Sequence, residues 1–234
     1  MIELNKIYNE DCLEGMKRIP DKSVDMILCD LPYGTTACKW DTIIPFEPLW
    51  EQYERVIKDN GAIVLTASQP FTTKLISSNI EKYRYSWVWD KKISGNPFLA
   101  KHQPMKVHED VCVFSKMSHN YYPVMTKGKL RKKGGGRSKL FDVELAESYN
   151  DDYYPKSIIE IGNGKRGFHP TQKPVALFEY LIRTYTNENE TILDNCMGSA
   201  TTAIAAINTN RNFIGFELDE TYFNLANERI ANHK

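Results

Sequence analysis

The short turn Asp30-Leu31-Pro32-Tyr33 carries groups that suit a flat ring with an amino group. It directly follows an apolar run, Val24-Asp25-Met26-Ile27-Leu28-Cys29, which is typical of a buried strand in a parallel sheet. Open α/β sheets bind their ligands at the carboxyl ends of such strands. At that end, the Asp30 carboxylate can accept hydrogen bonds from an amine, and the Tyr33 ring can stack on a heterocycle. We therefore expect this turn to bind a planar base with an exocyclic amine.

A second group of small and acidic residues lies near the C-terminus, in Asp194-Asn195-Cys196-Met197-Gly198-Ser199. It follows a predicted strand and precedes a predicted helix, so its small residues allow a ligand to approach the N–H groups at the helix start. Glu217 ends the next predicted strand, where an acid in a β-α-β unit can bind both hydroxyls of a ribose. Because the full G-x-G-x-x-G pattern is absent, a nucleoside without phosphates is favoured over a dinucleotide.

Strands and helices are predicted to alternate along most of the chain, which indicates a doubly wound α/β domain. Apolar runs predict strands over residues 23–30, 62–67, 84–89, 110–115, 191–195 and 212–217. Helices are predicted over residues 45–58, 70–78, 200–208 and 220–232, and another carries an apolar stripe of Phe178, Leu181, Ile182 and Tyr185. Asn60-Gly61 is predicted to close the first of these helices. Trp87 and Trp89 lie on one face of a strand and are predicted to be core residues.

Residues 117–165 interrupt this alternation, since they are polar and rich in tyrosine. They contain a run without any acid, in which basic residues flank three consecutive glycines: Lys127, Lys129, Arg131, Lys132, Lys133, Arg137 and Lys139. We interpret the segment as an insertion or small subdomain that contains a flexible loop. The basic run is either a solvated loop or, in a protein that acts on DNA, a surface that neutralises phosphates.

The composition argues against several classes of protein and site. The chain of 234 residues has 30 basic and 30 acidic residues, so a nucleic acid would have to bind to a local patch. Its five cysteines are odd in number and have no C-x-x-C spacing, which is typical of reduced cytosolic thiols and predicts no zinc site or disulfide framework. No signal peptide and no stretch long enough to span a membrane are expected.

Four motifs resemble those of the amino-group DNA methyltransferases, which use S-adenosylmethionine. Asp30-Leu31-Pro32-Tyr33 is similar to their catalytic D-P-P-Y motif, and residues 194–202 resemble their cofactor motif, D-P-F-x-G-S-G-T-T. His169-Pro170-Thr171-Gln172-Lys173-Pro174 looks like their H-P-T-Q-K-P motif, and Asn9-Glu10-Asp11-Cys12-Leu13 resembles their N-terminal segment. The chain departs from these patterns at Leu31, Asn195, Cys196 and Ala200. The catalytic motif precedes the cofactor motif, which resembles the permuted β-type order with a target-recognition region between them.

The resemblance implies a Rossmann-like methyltransferase sheet formed by residues 1–116 and 166–234, with an inserted target-recognition region over residues 117–165. It implies S-adenosylmethionine as the cofactor, bound by Asp11, Cys12, Asp30, His169, Thr171, Asp194, Cys196, Gly198, Ser199 and Glu217. It implies catalytic roles for Asp30, Pro32 and Tyr33. It also implies double-stranded DNA as the partner, held by Lys127, Lys129, Arg131, Lys132, Lys133 and Arg137. His169 is expected to be structural and Lys173 to be a solvated surface lysine, and no metal is expected.

An aspartate at the first motif position favours adenine N6 as the target, because the cytosine N4 enzymes more often have serine there. Cytosine N4 stays open as an alternative, as does an RNA substrate with the same chemistry. Asp30 disfavours a protein-glutamine methyltransferase, in which asparagine is typical, and also a non-catalytic binding module. The missing glycine pattern disfavours a nicotinamide dehydrogenase. The resemblance further implies a cytoplasmic enzyme of a prokaryotic or phage-infected cell, with a role in restriction–modification, and leaves a homodimer open.

Overall fold

The computed structural model describes residues 2–35, 41–95, 97–136, 140, 143–144, 146–163 and 172–233. Contacts between residues divide the chain into two compact units. The first unit extends to Tyr122 and resumes at Ser157, whereas the second is Pro123–Lys156. The second unit thus lies inside the range that was predicted as an insertion.

The strands and helices are numbered along the chain. The strands are β1 Lys6–Tyr8, β2 Val24–Cys29, β3 Ile57–Ala67, β4 Tyr83–Asp90, β5 His108–Phe114, β6 Thr126–Lys133, β7 Ser148–Tyr153, β8 Ile158–Glu160, β9 Thr191–Asp194 and β10 Asn212–Phe216. The helices are α1 Cys12–Met16, α2 Phe46–Val56, α3 Phe71–Ser78, α4 Val175–Tyr185, α5 Thr201–Asn208 and α6 Glu220–Ala231, with a short 3₁₀ turn at Pro97–Leu99. No helix in the described ranges has both the length and the apolar character needed to cross a membrane.

Within the described part of the chain, eight strands form one sheet in the order β1-β10-β9-β2-β3-β5-β4-β8. The strands from β1 to β3 in this order are parallel, while β5 is antiparallel to both of its neighbours. The chain leaves β2 through α2 to reach β3, and leaves β9 through α5 to reach β10 on the other side. The adjacent carboxyl ends of β2 and β9 therefore form a topological switch point, where such sheets bind ligands.

Helices cover both faces of the sheet and hold β2 between two apolar clusters. Met26 and Leu28 belong to the cluster that contains residues of α4 and α5, whereas Ile27 and Cys29 belong to the cluster that contains residues of α2 and α3. This alternation follows from the two-residue period of a strand. Trp87 and Trp89 are buried in the first cluster, as expected. Packing on both faces fixes the residue that follows β2, which is Asp30.

The predicted end of the first long helix is wrong. Helix α2 ends at Val56, and Asn60-Gly61 lies within β3. The pairing of β2 with β3 shifts register between Val24 and Met26, which marks a bulge. A Cβ atom at Gly61 would lie 2.7 Å from the carbonyl oxygen of Asp25, so glycine allows the two strands to approach closely there. The glycine therefore reports a strand irregularity and not a helix end.

The second unit contains the antiparallel pair of β6 and β7, whose register shifts between Lys127 and Arg131. Tyr153 covers the irregular stretch, since its hydroxyl donates a hydrogen bond to the Lys129 carbonyl oxygen at 2.6 Å. A Cβ atom at Gly128 would lie 2.7 Å from the Tyr153 ring. The Arg131 guanidinium lies 4.8 Å from the centroid of the same ring, which is within the range of a cation–π contact.

Candidate active site

Asp30 lies at the carboxyl end of β2, where three protein groups donate hydrogen bonds to its carboxylate. Its Oδ1 atom accepts from the Tyr33 hydroxyl at 2.9 Å and from the Thr66 hydroxyl on β3. Its Oδ2 atom accepts from Lys173 Nζ at 2.8 Å. A carboxylate has about four lone-pair positions for hydrogen bonds, so these donors leave one position for a further donor. The turn that was predicted to bind an amine is therefore rigidly held and still able to accept.

A chain of alternating charges, mostly shielded from solvent, continues from Asp30. Lys173 Nζ is also 3.3 Å from Glu109 Oε2, and Glu109 Oε1 accepts from Lys91 Nζ at 3.0 Å. Burial alone would lower the pKa of Lys173, but the Asp30 and Glu109 carboxylates raise it above its usual value. Burial would raise the pKa of Glu109, but the two lysines keep it below its usual value. Lys173 and Glu109 are therefore both charged at neutral pH.

The prediction that Lys173 is a solvated surface residue is wrong. The side chain is only 8% exposed, because the residues before α4 place it against Asp30 and Glu109. Glu109 and Thr66 were not predicted as site residues. Glu109 stands near the start of β5, which is antiparallel to β3, so the start of β5 lies at the same sheet edge as the end of β2. The one signal in the sequence that pointed to Glu109 was the presence of a charged residue beside a buried strand.

Tyr33 is half-buried, and its ring packs against Phe71 of α3 with centroids 5.1 Å apart and an interplanar angle of 25°. The Lys173 ammonium lies 5.4 Å from the centroid of the Tyr33 ring. Beyond Tyr33, the N–H groups of Gly34 and Thr35 donate to the two carboxylate oxygens of Asp41 at 2.8 and 2.9 Å. These contacts hold the ring and the turn that follows it in one orientation.

The Asp194 carboxylate closes the turn between β9 and α5. Its Oδ1 atom accepts from the Cys196 N–H at 3.0 Å, and its Oδ2 atom accepts from the Thr202 hydroxyl. Burial raises the pKa of Asp194 to about 6, although these hydrogen bonds act in the opposite direction. Gly198 follows in the same turn with a φ of +53°, a conformation that glycine adopts without strain. The predicted cofactor motif thus forms an open turn of small residues.

Glu217 lies directly after β10 and faces this turn. One carboxylate oxygen accepts from the Gly198 N–H at 2.7 Å, and the other accepts from the Asp219 N–H at 2.9 Å. Burial raises the pKa of Glu217 above its usual value. Each oxygen has a second lone pair, so the carboxylate can also accept hydrogen bonds from two hydroxyls of a ligand.

Two residues that were predicted to bind the cofactor, Asp11 and Cys12, lie at the start of helix α1. The Asp11 carboxylate caps the helix by accepting from the N–H groups of Leu13 and Glu14 at 2.8 and 3.3 Å. Cys12 is buried, and its sulfur lies 3.5 Å from the amide nitrogen of Asn195. The same amide nitrogen lies 3.5 Å from the sulfur of Cys196. Both segments therefore meet at the switch point, although Cys12 and Asn195 are 183 residues apart in sequence.

A cavity of about 640 Å³ connects these groups, and this volume is typical of small-molecule sites. Its wall includes every predicted catalytic residue and every described residue of the predicted cofactor site: Asp11, Cys12, Asp30, Pro32, Tyr33, Asp194, Cys196, Gly198, Ser199 and Glu217. His169 and Thr171 lie outside the described residues. Among the residues that are described, no cluster of three His, Cys, Asp or Glu side chains is arranged to hold a metal ion.

The basic residues predicted to contact DNA lie mainly on β6. Lys127 Nζ is 3.1 Å from Asp151 and 3.0 Å from Asp152 on β7, and Lys132 pairs with Glu147. The sequence run contains no acid, but strand pairing brings acids from the partner strand. Lys129 and Lys133 also belong to β6, whereas Arg137 and Lys139 lie outside the described residues.

Comparison with known proteins adds an independent line of support. A family model described as "DNA methylase" matches residues 24–228. The DNA adenine methyltransferase YhdJ of Escherichia coli (strain K12) is 29% identical over 99% of this chain and 85% of its own length. The structure of the M1.HpyAVI–SAM complex is 26% identical, covers 98% of this chain and 100% of its own, and has a TM-score of 0.65. The PvuII DNA methyltransferase (cytosine-N4-specific), with 15% identity over 98% of this chain and 87% of its own, shares the fold with a TM-score of 0.70.

The match to the family model spans most of the chain, and the matched residues include Asp30, Asp194 and Glu217. The Rossmann-like α/β fold and the cofactor that were predicted from sequence are both confirmed. The chain therefore belongs to the amino-group DNA methylase family and is an S-adenosylmethionine-dependent DNA methyltransferase.

Proposed function

We propose that this protein methylates the N6 amine of adenine at specific sites in double-stranded DNA. The observation that carries the proposal is the position of the Asp30 carboxylate, which is held by three donors in the same cavity as Asp194 and Glu217. One wall of the cavity thus suits a nucleoside, and the other suits a base with an exocyclic amine.

The residues of the cavity fit S-adenosylmethionine. The two oxygens of Glu217 retain acceptor positions for the ribose hydroxyls, and Gly198 and Ser199 leave room for the methionine part of the cofactor. Asp194 fixes the conformation of this turn through its hydrogen bonds to Cys196 and Thr202. When bound, the cofactor supplies an electrophilic methyl group, and the electron pair of the broken C–S bond stays on sulfur.

Asp30 and Pro32 prepare the amine of the target base. The nitrogen lone pair of such an amine is delocalised into the ring, so the amine is a poor nucleophile. Hydrogen bonds from its N–H groups to the Asp30 carboxylate and the Pro32 carbonyl oxygen favour a tetrahedral nitrogen, which attacks the methyl carbon. The methylated nitrogen then gives one proton to Asp30, from which the proton passes to water. A base inside a duplex must flip out to reach Asp30, and the Tyr33 ring provides a stacking surface for it.

We assign Lys173 as a positioning residue that acts through Asp30. Its ammonium holds Oδ2 of Asp30, while Tyr33 and Thr66 hold Oδ1. Glu109 balances the charge of Lys173 on the other side at 3.3 Å. The carboxylate therefore has one fixed orientation before the base arrives, and no reorganisation is needed during methyl transfer.

We further propose that the second unit, Pro123–Lys156, is the target-recognition region. It has eight basic and five acidic residues in sequence, although the whole chain has no net charge. This local excess of basic residues suits contact with phosphates, which supply much of the affinity for DNA.

Adenine is favoured over cytosine by the aspartate at position 30 and by the 29% identity to a relative that is named an adenine methyltransferase. The test is to express the wild-type protein in a host that lacks DNA methylation, and to quantify methylated nucleosides in its DNA by mass spectrometry. N6-methyladenine is expected, and sequencing that detects modified bases then gives the target sequence. N4-methylcytosine would redirect the proposal to cytosine, and methylated bases in RNA alone would redirect it to RNA.

The control for this experiment is the variant Asp30→Ala, expressed in the same host. It should reduce methylation at least about a hundredfold, the usual cost of removing a group that stabilises charge in a transition state. Calorimetric titration with S-adenosylhomocysteine should give nearly the same affinity for the variant and the wild type, because Glu217 and the turn after β9 are proposed to hold most of the cofactor and Asp30 acts mainly on the base. An active Asp30→Ala enzyme would refute the proposed mechanism.

A further inference from the structure

The connection between β4 and β5, residues 91–107, presents large apolar side chains to solvent. Phe98 is 92% exposed on the short turn Pro97–Leu99, and its apolar neighbours in the connection are also exposed: Ile93, Leu99, Met105 and Val107. Exposed apolar groups in one short segment are uncommon in a soluble protein and indicate a binding surface. All residues of the connection except Asn96 are described.

The same connection is basic. Residues 91–107 include Lys91, Lys92, Lys101 and Lys106 and contain no aspartate or glutamate, although Lys91 pairs with Glu109 and Lys92 pairs with Asp90 and Glu160. A partner that suits this segment is therefore a polyanion that also offers flat apolar surfaces. Duplex DNA has both properties. Its phosphates are anionic, and its bases expose flat apolar faces when two stacked neighbours move apart.

The position of the connection points to the target base. Strand β4 is antiparallel to β5, β5 is antiparallel to β3, and β3 is parallel to β2, so β4 and β2 end at the same sheet edge. Both ends of the connection are joined to the surroundings of Asp30. Lys91 bonds to Glu109, which contacts Lys173 beside Asp30, and Lys106 Nζ donates to the Ser68 hydroxyl at 2.5 Å, two residues after Thr66.

We infer that residues 91–107 enter the duplex at the target site and that Phe98 fills the gap left by the flipped base. The inference rests on the proposed function, because only a base that leaves the stack creates such a gap. Flipping loses the stacking and pairing of the target base, and an inserted apolar side chain restores part of the stacking. The cost of exposing Phe98 in the free protein is thus recovered on DNA.

The test compares Phe98→Ala with Ile80→Ala. Ile80 is also exposed, at 61%, but it precedes β4 and lies at the opposite edge of the sheet. Once the target sequence is known, each variant is assayed on a matched duplex and on a duplex in which an abasic site faces the target adenine. An unpaired adenine flips more easily. Phe98→Ala should therefore be about tenfold slower than wild type on the matched duplex and should recover to within about threefold on the abasic duplex.

Fluorescence of 2-aminopurine at the target position gives a second readout. Its increase on binding should be smaller for Phe98→Ala and unchanged for Ile80→Ala and Phe98→Trp. Equal rates of Phe98→Ala and wild type on the matched duplex would overturn the inference, as would an equal loss on both duplexes. A change of oligomeric state in Phe98→Ala without a change in methylation would overturn it in favour of contact with a second copy. Methylation of DNA by the wild-type protein is measured first. If it is present, the proposed function holds whichever result Phe98→Ala gives.

Discussion

Two lysines of this enzyme each lie between two carboxylates, but in different surroundings. Lys173 in the first unit is 2.8 Å from Asp30 and 3.3 Å from Glu109, and its side chain is 8% exposed. Lys127 in the second unit is 3.0 Å from Asp152 and 3.1 Å from Asp151, and its side chain is 70% exposed. The distances are nearly the same, so burial is the main physical difference.

Burial decides what each group of charges can do. Water and salt screen the ion pairs of Lys127, so they stabilise the fold little and can be exchanged for ion pairs with phosphates. The ion pairs of Lys173 replace the water that its buried ammonium has given up, so removing Lys173 leaves carboxylates with too little compensating charge. The buried group can therefore fix the orientation of Asp30, whereas the exposed group can release its lysine to DNA.

Replacing each lysine by methionine tests this difference directly and should give the largest effect. Lys173→Met should lower the free energy of unfolding by about 3–5 kcal/mol, because it leaves the partly buried Asp30 carboxylate without its cation and leaves Glu109 with Lys91 alone. Lys127→Met should leave the free energy of unfolding nearly unchanged, because water solvates the freed carboxylates. Urea denaturation of the three proteins, followed by circular dichroism, measures both effects.

A double variant separates charge balance from packing at the buried site. Lys173→Met with Glu109→Gln removes one positive and one negative charge, so it should recover part of the stability that Lys173→Met removes, although Lys91 then loses its carboxylate partner. Its methylation rate should stay below that of the wild type, since Asp30 lacks its Oδ2 donor. If the single variants Lys173→Met and Lys127→Met lost equal amounts of stability, burial would not be the property that distinguishes the two lysines.

The buried region should also have a pH dependence that one substitution removes. Burial raises the pKa of Asp194 from 3.8 to about 6. The folded state therefore binds more protons than the unfolded state between about pH 4 and pH 6, so this group makes the protein less stable as the pH rises through that window. The stability difference between wild type and Asp194→Asn should change by about 2 kcal/mol across the window, in the direction that favours wild type at pH 4.

Thermal denaturation at several pH values between pH 4 and pH 7 measures this difference. The hydrogen bonds of Asp194 to Cys196 and Thr202 are altered in the asparagine variant at every pH, so they shift the difference without changing its slope. A difference that is constant from pH 4 to pH 6 would mean that the Asp194 carboxylate is not desolvated in the fold.

The same contrast explains which parts of the site could be predicted from sequence. Asp30, Gly198 and Glu217 each follow or precede an apolar run, so their place at strand ends can be derived locally. Lys173 and Asp30 are 143 residues apart, and Glu109 reaches them only because β5 is inserted antiparallel between β3 and β4. Neither the sheet order nor that reversal has a local signal, so the buried charges that hold Asp30 could not be predicted.

The second unit was predicted incompletely for a related reason. Its basic run is free of acids in sequence, yet the pairing of β6 with β7 places Asp151 and Asp152 beside Lys127. The irregular register between Lys127 and Arg131 cannot be derived from the pattern of side chains. Composition therefore predicted the basic character of β6, but it could not predict that the lysines have partners of their own.

The smallest expected effect concerns the proposed contact of this second unit with DNA. The sign of the effect distinguishes exchangeable ion pairs from fixed ones. Replacing Lys127, Lys129, Arg131 and Lys132 by glutamine should weaken DNA binding and flatten the slope of log affinity against log salt by about 0.9 for each phosphate that is no longer neutralised. Replacing Asp151 and Asp152 by asparagine should strengthen DNA binding and steepen the slope. In that variant Lys127 does not have to break an ion pair with a carboxylate before it binds a phosphate. Binding curves at several salt concentrations measure both slopes. Equal slopes for wild type and both variants would mean that β6 is a solvated strand, and the cations that neutralise phosphates would then have to be the lysines of residues 91–107.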